Sequence, residues 1–183
     1  DVEESGTVEK IKIGISTCLL GRNVRYDGGD QWDRYLTETL GRYFTYIPVC
    51  PEVEYGLPVP REAMRLVGDP TSPRLVTIRT GIDHTAGMQS WAVGKLQELE
   101  PESLCGFIFK SKSPSSGMTA VKVYVPGGMP VKRGIGVFAA AFMARFPLLP
   151  VEEDGRLQDP ARRENFIERG FVYRRRQLLL AGR

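Results

Sequence analysis

The sequence contains little cysteine and histidine and no long apolar run. Its three cysteines are odd in number and far apart, which argues against a disulfide framework and leaves thiols or metal ligands. The single histidine, His84, lies near a predicted helix start, where a capping or surface role is expected rather than metal ligation. No run approaches the ~18 apolar residues of a membrane span. Residues 1–10 are polar, without a signal-peptide core. We expect a disordered or expression-derived tail there and a cytoplasmic protein with no membrane partner.

Several nucleotide-binding signatures are also missing. Neither GxGxxG nor GxxxxGK[ST] occurs, which argues against dinucleotide-binding and P-loop functions. No internal repeat or low-complexity tract is visible, and the formal net charge of +3 is too small to indicate a partner by itself. With 183 residues and 42% hydrophobic side chains, the chain is expected to form one soluble globular domain, or one domain with an extension.

Three predicted strands end in short segments rich in chemically active side chains. The strand Lys10–Ser16 leads to Cys18, and Phe44–Val49 leads directly to Cys50. A third, Leu104–Lys110, leads to a serine-rich segment over 111–117. Ligands of open α/β sheets bind outside the carboxyl ends of parallel strands. If these strands are parallel neighbours, the three segments converge on one site.

The remaining pattern predicts alternating helices and strands, and hence a Rossmann-like α/β sandwich with a mostly parallel sheet flanked by helices. Proline at 51, 58 and 60 predicts a long non-helical loop from Cys50 to Arg61. A cap at Asp83 or Thr85 is expected to begin a helix that ends near residue 98. The other predicted helices span 30–43, 62–67 (one turn), 134–146 and 159–180, and the other strands span 75–80, 118–124 and 148–151.

The candidate residues have plain structural alternatives. Buried cysteines are common core residues, and we assign that role to Cys105, which lies within an apolar strand. Cys18 and Cys50 follow their strands instead, and Glu52 shares a loop with Cys50. The serine-rich segment could be an ordinary turn, although the flanking Lys110 and Lys112 favour an anion or polar ligand.

The C-terminal segment holds eight arginines between Arg156 and Arg183, interleaved with acids. A solvated, salt-bridged helix face is the simpler interpretation. Contact with a nucleic-acid phosphate backbone is the alternative.

Three ordered motifs resemble those of the thiouracil desulfidase (TudS-like) family. The first is STCLLG at 16–21 with VRYDGG at 24–29, the second CPE at 50–52 with GL at 56–57 and PR at 60–61, and the third KSKSPSSG at 110–117. The match runs from about Ile11 to Val151. Segments at 146–153, 155–157 and 163–166 resemble longer members that act on 4-thiouridine in tRNA (RudS-like). Those members usually carry a further C-terminal domain, so this chain resembles a natural short form or a truncated one.

The resemblance implies non-redox removal of sulfur from a thiolated uracil, leaving uracil and hydrogen sulfide. It implies a [4Fe–4S] cluster held at three positions, with one iron open to the soft thiocarbonyl sulfur. It further implies a desulfidase domain over 11–155 and an arginine-rich helical extension over 156–183. The implied metal-ligand positions are Cys18, Cys50 and Ser116, the catalytic residues are Glu52 and Ser113, and the substrate-binding residues are Arg25, Lys110, Lys112 and Ser115.

Ser116 departs from the family pattern, which has cysteine at this position. Serine is a poor substitute for a thiolate towards iron–sulfur iron. The chain is then either a Cys→Ser variant or a weak cluster binder. Free thiouracil, a thiolated nucleoside and tRNA stay open as substrates, and no protein partner can be inferred. A non-enzymatic RNA-binding domain, in which Cys18 and Cys50 are redox-sensing or vestigial, is the alternative function.

Overall fold

The computed structural model describes residues 9–21 and 34–182. This part of the chain forms eight strands and five α-helices. The strands are β1 (Ile11–Ser16), β2 (Phe44–Val49), β3 (Met64–Val67), β4 (Arg74–Thr77), β5 (Phe107–Phe109), β6 (Val121–Tyr124), β7 (Val131–Gly134) and β8 (Val151–Glu153). The helices are α1 (Arg34–Leu40), α2 (Pro51–Tyr55), α3 (Thr85–Leu99), α4 (Val137–Arg145) and α5 (Pro160–Ala181). None of the helices described is both long and apolar enough to cross a bilayer.

The first sheet is entirely parallel, with strand order β2-β1-β5-β8. Parallel sheets are normally buried on both faces, and the contacts of β5 show that this sheet is covered on both faces. Ile108 packs with Phe166 of α5 on one side, whereas Phe107 and Phe109 pack against Phe138 and Phe142 of α4 on the other. The predicted Rossmann-like sandwich with a mostly parallel, helix-flanked sheet is therefore confirmed.

A second four-stranded sheet, of order β4-β3-β6-β7, was not predicted as a separate layer. Its β3–β6 pair is parallel and its two outer pairs are antiparallel. The prediction of a helical turn over 62–67 is wrong, because Met64 and Leu66 are buried while the residues between and after them face the other side. That two-residue period is the period of a strand. Leu66 and Val123 pack over Met88 of α3.

The predicted non-helical loop over 50–61 is also wrong in part. Pro51 is the first residue of α2, where the missing N–H of proline costs no intrahelical hydrogen bond. The helix ends at Gly56, whose φ of +122° favours glycine. Only the segment after it, which contains Pro58 and Pro60, is irregular.

Other predicted elements differ mainly at their ends. The residue preceding α3 is His84, between the two predicted caps. β5 starts at Phe107 rather than Leu104, and β8 lies at 151–153 rather than 148–151. The helix predicted over 30–43 is seen as α1, and the part of that prediction before residue 34 lies outside the described residues. α5 begins after Asp159 as predicted, and the structure adds that Asp159 caps this helix by accepting the Ala161 N–H at 3.0 Å.

Candidate active site

A cavity of about 460 Å³ lies at the carboxyl ends of β1, β2 and β5. The segments that follow these strands supply most of its wall, as expected for neighbouring parallel strands. Met64, the first residue of β3 in the second sheet, completes the wall together with Arg61 and Ala63 just before it. Lining residues are 16–18, 49–52, 61, 63–64 and 110–116.

Cys18 lies in a short 3-10 helix, Thr17–Leu20, directly after β1. This turn closes at Gly21, which has a left-handed φ of +81°. The Cys18 side chain is buried, and the residue is 8% exposed. The cysteine therefore occupies the position where the first strand opens into the cavity.

Cys50 is the residue that precedes α2, one position beyond the Ser16–Val49 register pair of β1 and β2. Its backbone N–H donates to the Glu54 carboxylate at 2.7 Å, and Glu54 also accepts from Lys95 of α3 at 2.7 Å. These contacts attach the start of α2 to α3. Burial raises the pKa of the Cys50 thiol, and the Val53 N–H and Arg61 only partly oppose this increase. A bound metal or another nearby cation would therefore favour its thiolate.

The serine-rich segment is a compact turn held against the start of α4. The Ser113 hydroxyl oxygen accepts the N–H of Ser116 at 3.1 Å and that of Ser115 at 3.3 Å. Phe138, in the first turn of α4, donates its N–H to the Ser115 carbonyl at 2.9 Å. Gly136 permits this approach, since a β-carbon there would lie 2.5 Å from the Ser115 carbonyl carbon. The turn holds Ser116 buried in the cavity wall at 4% exposure.

Glu52 supplies a carboxylate to the cavity wall and pairs with Arg61 at 3.3 Å. The Arg61 side chain is 4% exposed and also donates to the Pro58 carbonyl at 3.1 Å. Arg61 belongs to the second sequence motif, which by itself indicates no role for this residue at the site. The sequence feature that could have indicated this role is an arginine directly after Pro60. The structure shows that this segment leads from α2 back to the cavity.

Asp154 is a second residue that the sequence analysis missed. It follows β8 and accepts the Ser111 N–H at 2.8 Å, while its other oxygen lies 3.5 Å from the Lys110 ammonium. The Ser16 hydroxyl accepts the Lys110 N–H at 3.0 Å. Together these contacts join the ends of β1, β5 and β8 beneath the cavity. Nothing local in the sequence around Asp154 distinguishes it from a surface acid.

Most of the predicted site residues line this one cavity. Those brought together are Cys18, Cys50, Glu52, Lys110, Lys112, Ser113, Ser115 and Ser116. Arg25 lies outside the described residues. Cys105 does not line the cavity; its thiol donates to Gln177 at 3.4 Å, and burial raises its pKa to about 11. His84 instead hydrogen bonds with the Tyr55 hydroxyl at 3.1 Å.

The donor atoms of the cavity match a [4Fe–4S] cluster only in part. Iron–sulfur clusters are held by thiolates, and this wall offers the thiols of Cys18 and Cys50 with the hydroxyl of Ser116. Within residues 9–21 and 34–182, no group of three or more Cys, His, Asp or Glu is placed to hold a metal ion. As it stands, the donor set is one thiolate short and does not fit the cluster.

Comparison with known proteins places the chain in a family. A family model described as 2-thiouracil desulfurase matches residues 13–154. Among solved structures, the chain is similar to a [4Fe–4S]-dependent thiouracil desulfidase, TudS, with 30% sequence identity and a TM-score of 0.64. That match covers 85% of this chain and 99% of the TudS chain. No curated protein matched. With the family model covering the parallel sheet and all three cavity-lining segments, the chain belongs to the 2-thiouracil desulfurase family.

Proposed function

We propose that the cavity binds a thiolated uracil and that the chain carries the framework of a hydrolytic desulfidase. The observation that carries the proposal is the convergence of three strand-end segments on one cavity within a 2-thiouracil desulfurase fold. The reaction is non-redox. Water adds its oxygen to the thiocarbonyl carbon, the carbon–sulfur bond breaks, and hydrogen sulfide leaves while a carbonyl remains.

In this proposal Glu52 is the general base, because it is the carboxylate among the lining residues. It would take a proton from the attacking water and return it to the departing sulfur, and such help is typically worth ~10²–10⁴-fold in rate. Its pairing with Arg61 orients the carboxylate. Ser113 would hold the nucleobase through its hydroxyl, whose oxygen accepts two backbone N–H groups and lies 3.1 Å from the Ser115 hydroxyl oxygen.

Lys110, Lys112 and Ser115 are proposed to contact the substrate from the same segment. Lys112 is exposed at the cavity and has a left-handed φ of +64°, an unusual conformation for a residue other than glycine. Lys110 forms an ion pair with Asp154, so its ammonium group is less mobile than that of Lys112. For the finer substrate we propose a thiolated uracil in RNA, such as 4-thiouridine in tRNA, motivated by the similarity of the C-terminal segment to tRNA-acting family members.

We further propose that a [4Fe–4S] cluster is the cofactor of this site when position 116 is cysteine. A serine hydroxyl is a far weaker acid than a cysteine thiol, whose pKa is ~8.5, so at neutral pH it supplies no anionic ligand. With two thiolates, the cluster has one protein ligand fewer than the three that the family pattern implies, and we expect it to lose iron in solution. Ser116→Cys supplies the third thiolate at a position that is already buried in the cavity wall.

The test is anaerobic reconstitution of the unaltered chain and of the Ser116→Cys variant. Iron and sulfide are counted, visible absorption is recorded, and turnover of 2-thiouracil and 4-thiouridine is measured. We expect about four irons per chain and sulfide release from the variant only. A Cys105→Ser variant is the control, since that thiol lies outside the cavity. Full cluster with Ser116 in place, or no gain from Ser116→Cys, would contradict the proposal.

One observation favours a second function, a non-enzymatic RNA-binding domain in which Cys18 and Cys50 are redox-sensing or vestigial. The two cysteines follow adjacent, in-register strands, and a hydroxyl stands at the third position. Iron content separates the two functions. A Ser116→Cys chain that stays iron-free and releases no sulfide, while Cys18 and Cys50 form a disulfide with a thiol oxidant, would favour the second.

A further inference from the structure

The outer face of the second sheet carries a row of positive side chains. Along β3 and β6 the residues alternate, so that Leu66 and Val123 are buried against the helices while Arg65 and Lys122 face outward. Leu66 pairs with Val123, so Arg65 and Lys122 lie one position earlier on neighbouring strands. Lys122 is in turn directly opposite Lys132 of β7. We call Arg65, Lys122 and Lys132 the cation row.

This row carries like charges on adjacent strands, an arrangement that destabilises a sheet. A β-bulge next to Lys122 adds the exposed Arg133 to the same region. Among the described residues, no ion pair joins a carboxylate to any of these four cations. The sequence contains no acid from residue 103 to residue 151, which includes β6 and β7. The row is therefore a concentrated positive charge that the described part of the protein does not neutralise.

An aromatic ring accompanies this charge. The Arg65 guanidinium lies 4.7 Å from the centre of the Tyr124 ring, and Tyr124 is 37% exposed. The Arg65 Nε is buried without a hydrogen-bond partner. Aromatic and arginine side chains on an exposed sheet are the elements on which proteins stack unpaired bases of single-stranded nucleic acid.

The row begins close to the cavity. Ala63 lines the cavity and precedes Arg65 by two residues, a distance of about 7 Å along an extended chain. Arg174 of α5, by contrast, lines a small cleft with Lys10, Lys12 and Cys105, near the amino end of β1. β1 has six residues, so that cleft lies about 20 Å along the strand from the cavity. Arg174 is therefore farther from the chemistry than Arg65, the first residue of the cation row.

We propose that the cation row binds the phosphate backbone of an RNA strand, and that Tyr124 stacks on one of its bases, next to the nucleotide whose base enters the cavity. This inference rests on the proposed function for the choice of RNA as substrate. Charge complementarity supports this proposal. RNA phosphates bound along the row would offset the repulsion between the like charges of Arg65, Lys122 and Lys132 on neighbouring β-strands. The row lies beside the cavity, so one bound strand can engage both.

The test compares two variants that remove the same charge. One is Arg65→Gln/Lys122→Gln/Lys132→Gln, and its matched control is Arg174→Gln/Arg175→Gln/Arg176→Gln. Binding of a 5′-fluorescein-labelled, 20-nucleotide single-stranded RNA is measured by anisotropy from 50 to 200 mM salt. We expect the row variant to bind the RNA at least ~10-fold more weakly than the unaltered chain. The steepness of the plot of log association constant against log salt concentration should fall by about 2. In the control variant, both the RNA affinity and this steepness should change less.

An equal loss of RNA affinity in the two variants would show an effect of net charge only. That result, or a larger loss of RNA affinity in the control, would overturn the assignment of the cation row as the RNA-binding surface. Absence of RNA binding by the unaltered chain at 50 mM salt would also overturn it. The single substitution Lys122→Glu at an exposed position repeats the test if the triple variant fails to fold. Turnover of free 2-thiouracil by the reconstituted Ser116→Cys protein tests the proposed function separately, because it requires no RNA.

Discussion

Ser116 and Glu52 line the same cavity but are held in different ways. The Ser116 backbone is fixed by its own N–H bond to Ser113, so a change from oxygen to sulfur at its side chain leaves the turn intact. Glu52 depends on a side-chain partner, the almost fully buried Arg61. We therefore expect position 116 to control the cofactor and position 52 to control the chemistry.

Glu52→Gln in the Ser116→Cys protein is expected to lower sulfide release by ~10²–10⁴-fold, because an amide cannot accept a proton from water. The visible spectrum of the reconstituted cluster should stay unchanged, since Glu52 is not an implied ligand. Glu98→Gln is the control, at a side chain that is 72% exposed. Near-normal turnover in the Glu52→Gln protein would remove Glu52 from the mechanism. Thermal unfolding of each variant checks the cost of leaving Arg61 without its carboxylate.

At the level of elements, the site depends on how the serine-rich turn meets α4. The first N–H groups of a helix lack intrahelical partners. Val137 and Phe138 instead donate theirs to the carbonyls of Pro114 and Ser115, at 3.2 and 2.9 Å. The helix therefore holds the turn, and the turn caps the helix. Gly136 is the point of closest approach between them.

Gly136→Ala is expected to destabilise the protein by about 1–3 kcal/mol, because its β-carbon would overlap the backbone of Ser115 and Ser116. Gly94→Ala in α3 is the matched control, since a β-carbon there meets nothing within 4 Å. That control should be neutral or stabilising by up to ~1 kcal/mol, as expected for a helical glycine. Urea unfolding measures both. An equal effect of the two substitutions would show that the Gly136 contact is not needed.

At the scale of the whole molecule, α3 packs against both sheets. Met88 belongs to the apolar cluster of the second sheet, whereas Ala92 and Leu96 belong to the cluster beneath the first. Trp91 contacts both clusters. Because α3 contributes to the apolar clusters of both sheets, unfolding of one sheet would remove packing contacts from the core of the other.

We therefore expect a single cooperative unfolding transition. A Trp32→Phe variant leaves Trp91 as the only tryptophan, so fluorescence reports on the contact between the layers. Its unfolding midpoint in urea should coincide with that of the far-UV circular dichroism signal. The Trp91→Phe variant verifies the origin of the fluorescence. Two separated midpoints would show that the sheets unfold independently.

Elements whose cause is local could be predicted from the amino-acid sequence. The apolar runs of β1 and β2, the small apolar stretch of α4 and the Asp159-Pro160 start of α5 all lie where the sequence predicts them. The meeting of Cys18, Cys50 and the serine-rich segment followed from one rule, that the carboxyl ends of parallel strands share an edge. Motif similarity added the family, which the family match confirmed.

Features that depend on partners distant in sequence could not be predicted before the fold was known. The segment 62–67 is a strand because β4 and β6 pair with it, and six residues alone do not distinguish that strand from a helical turn. Arg61 reaches the cavity, and Asp154 reaches Lys110 in the cavity wall, through returns of the chain that no local spacing reveals. The cation row exists only through the register of three strands, since Arg65, Lys122 and Lys132 are far apart in sequence. Long-range pairing, which local propensity does not encode, set these features.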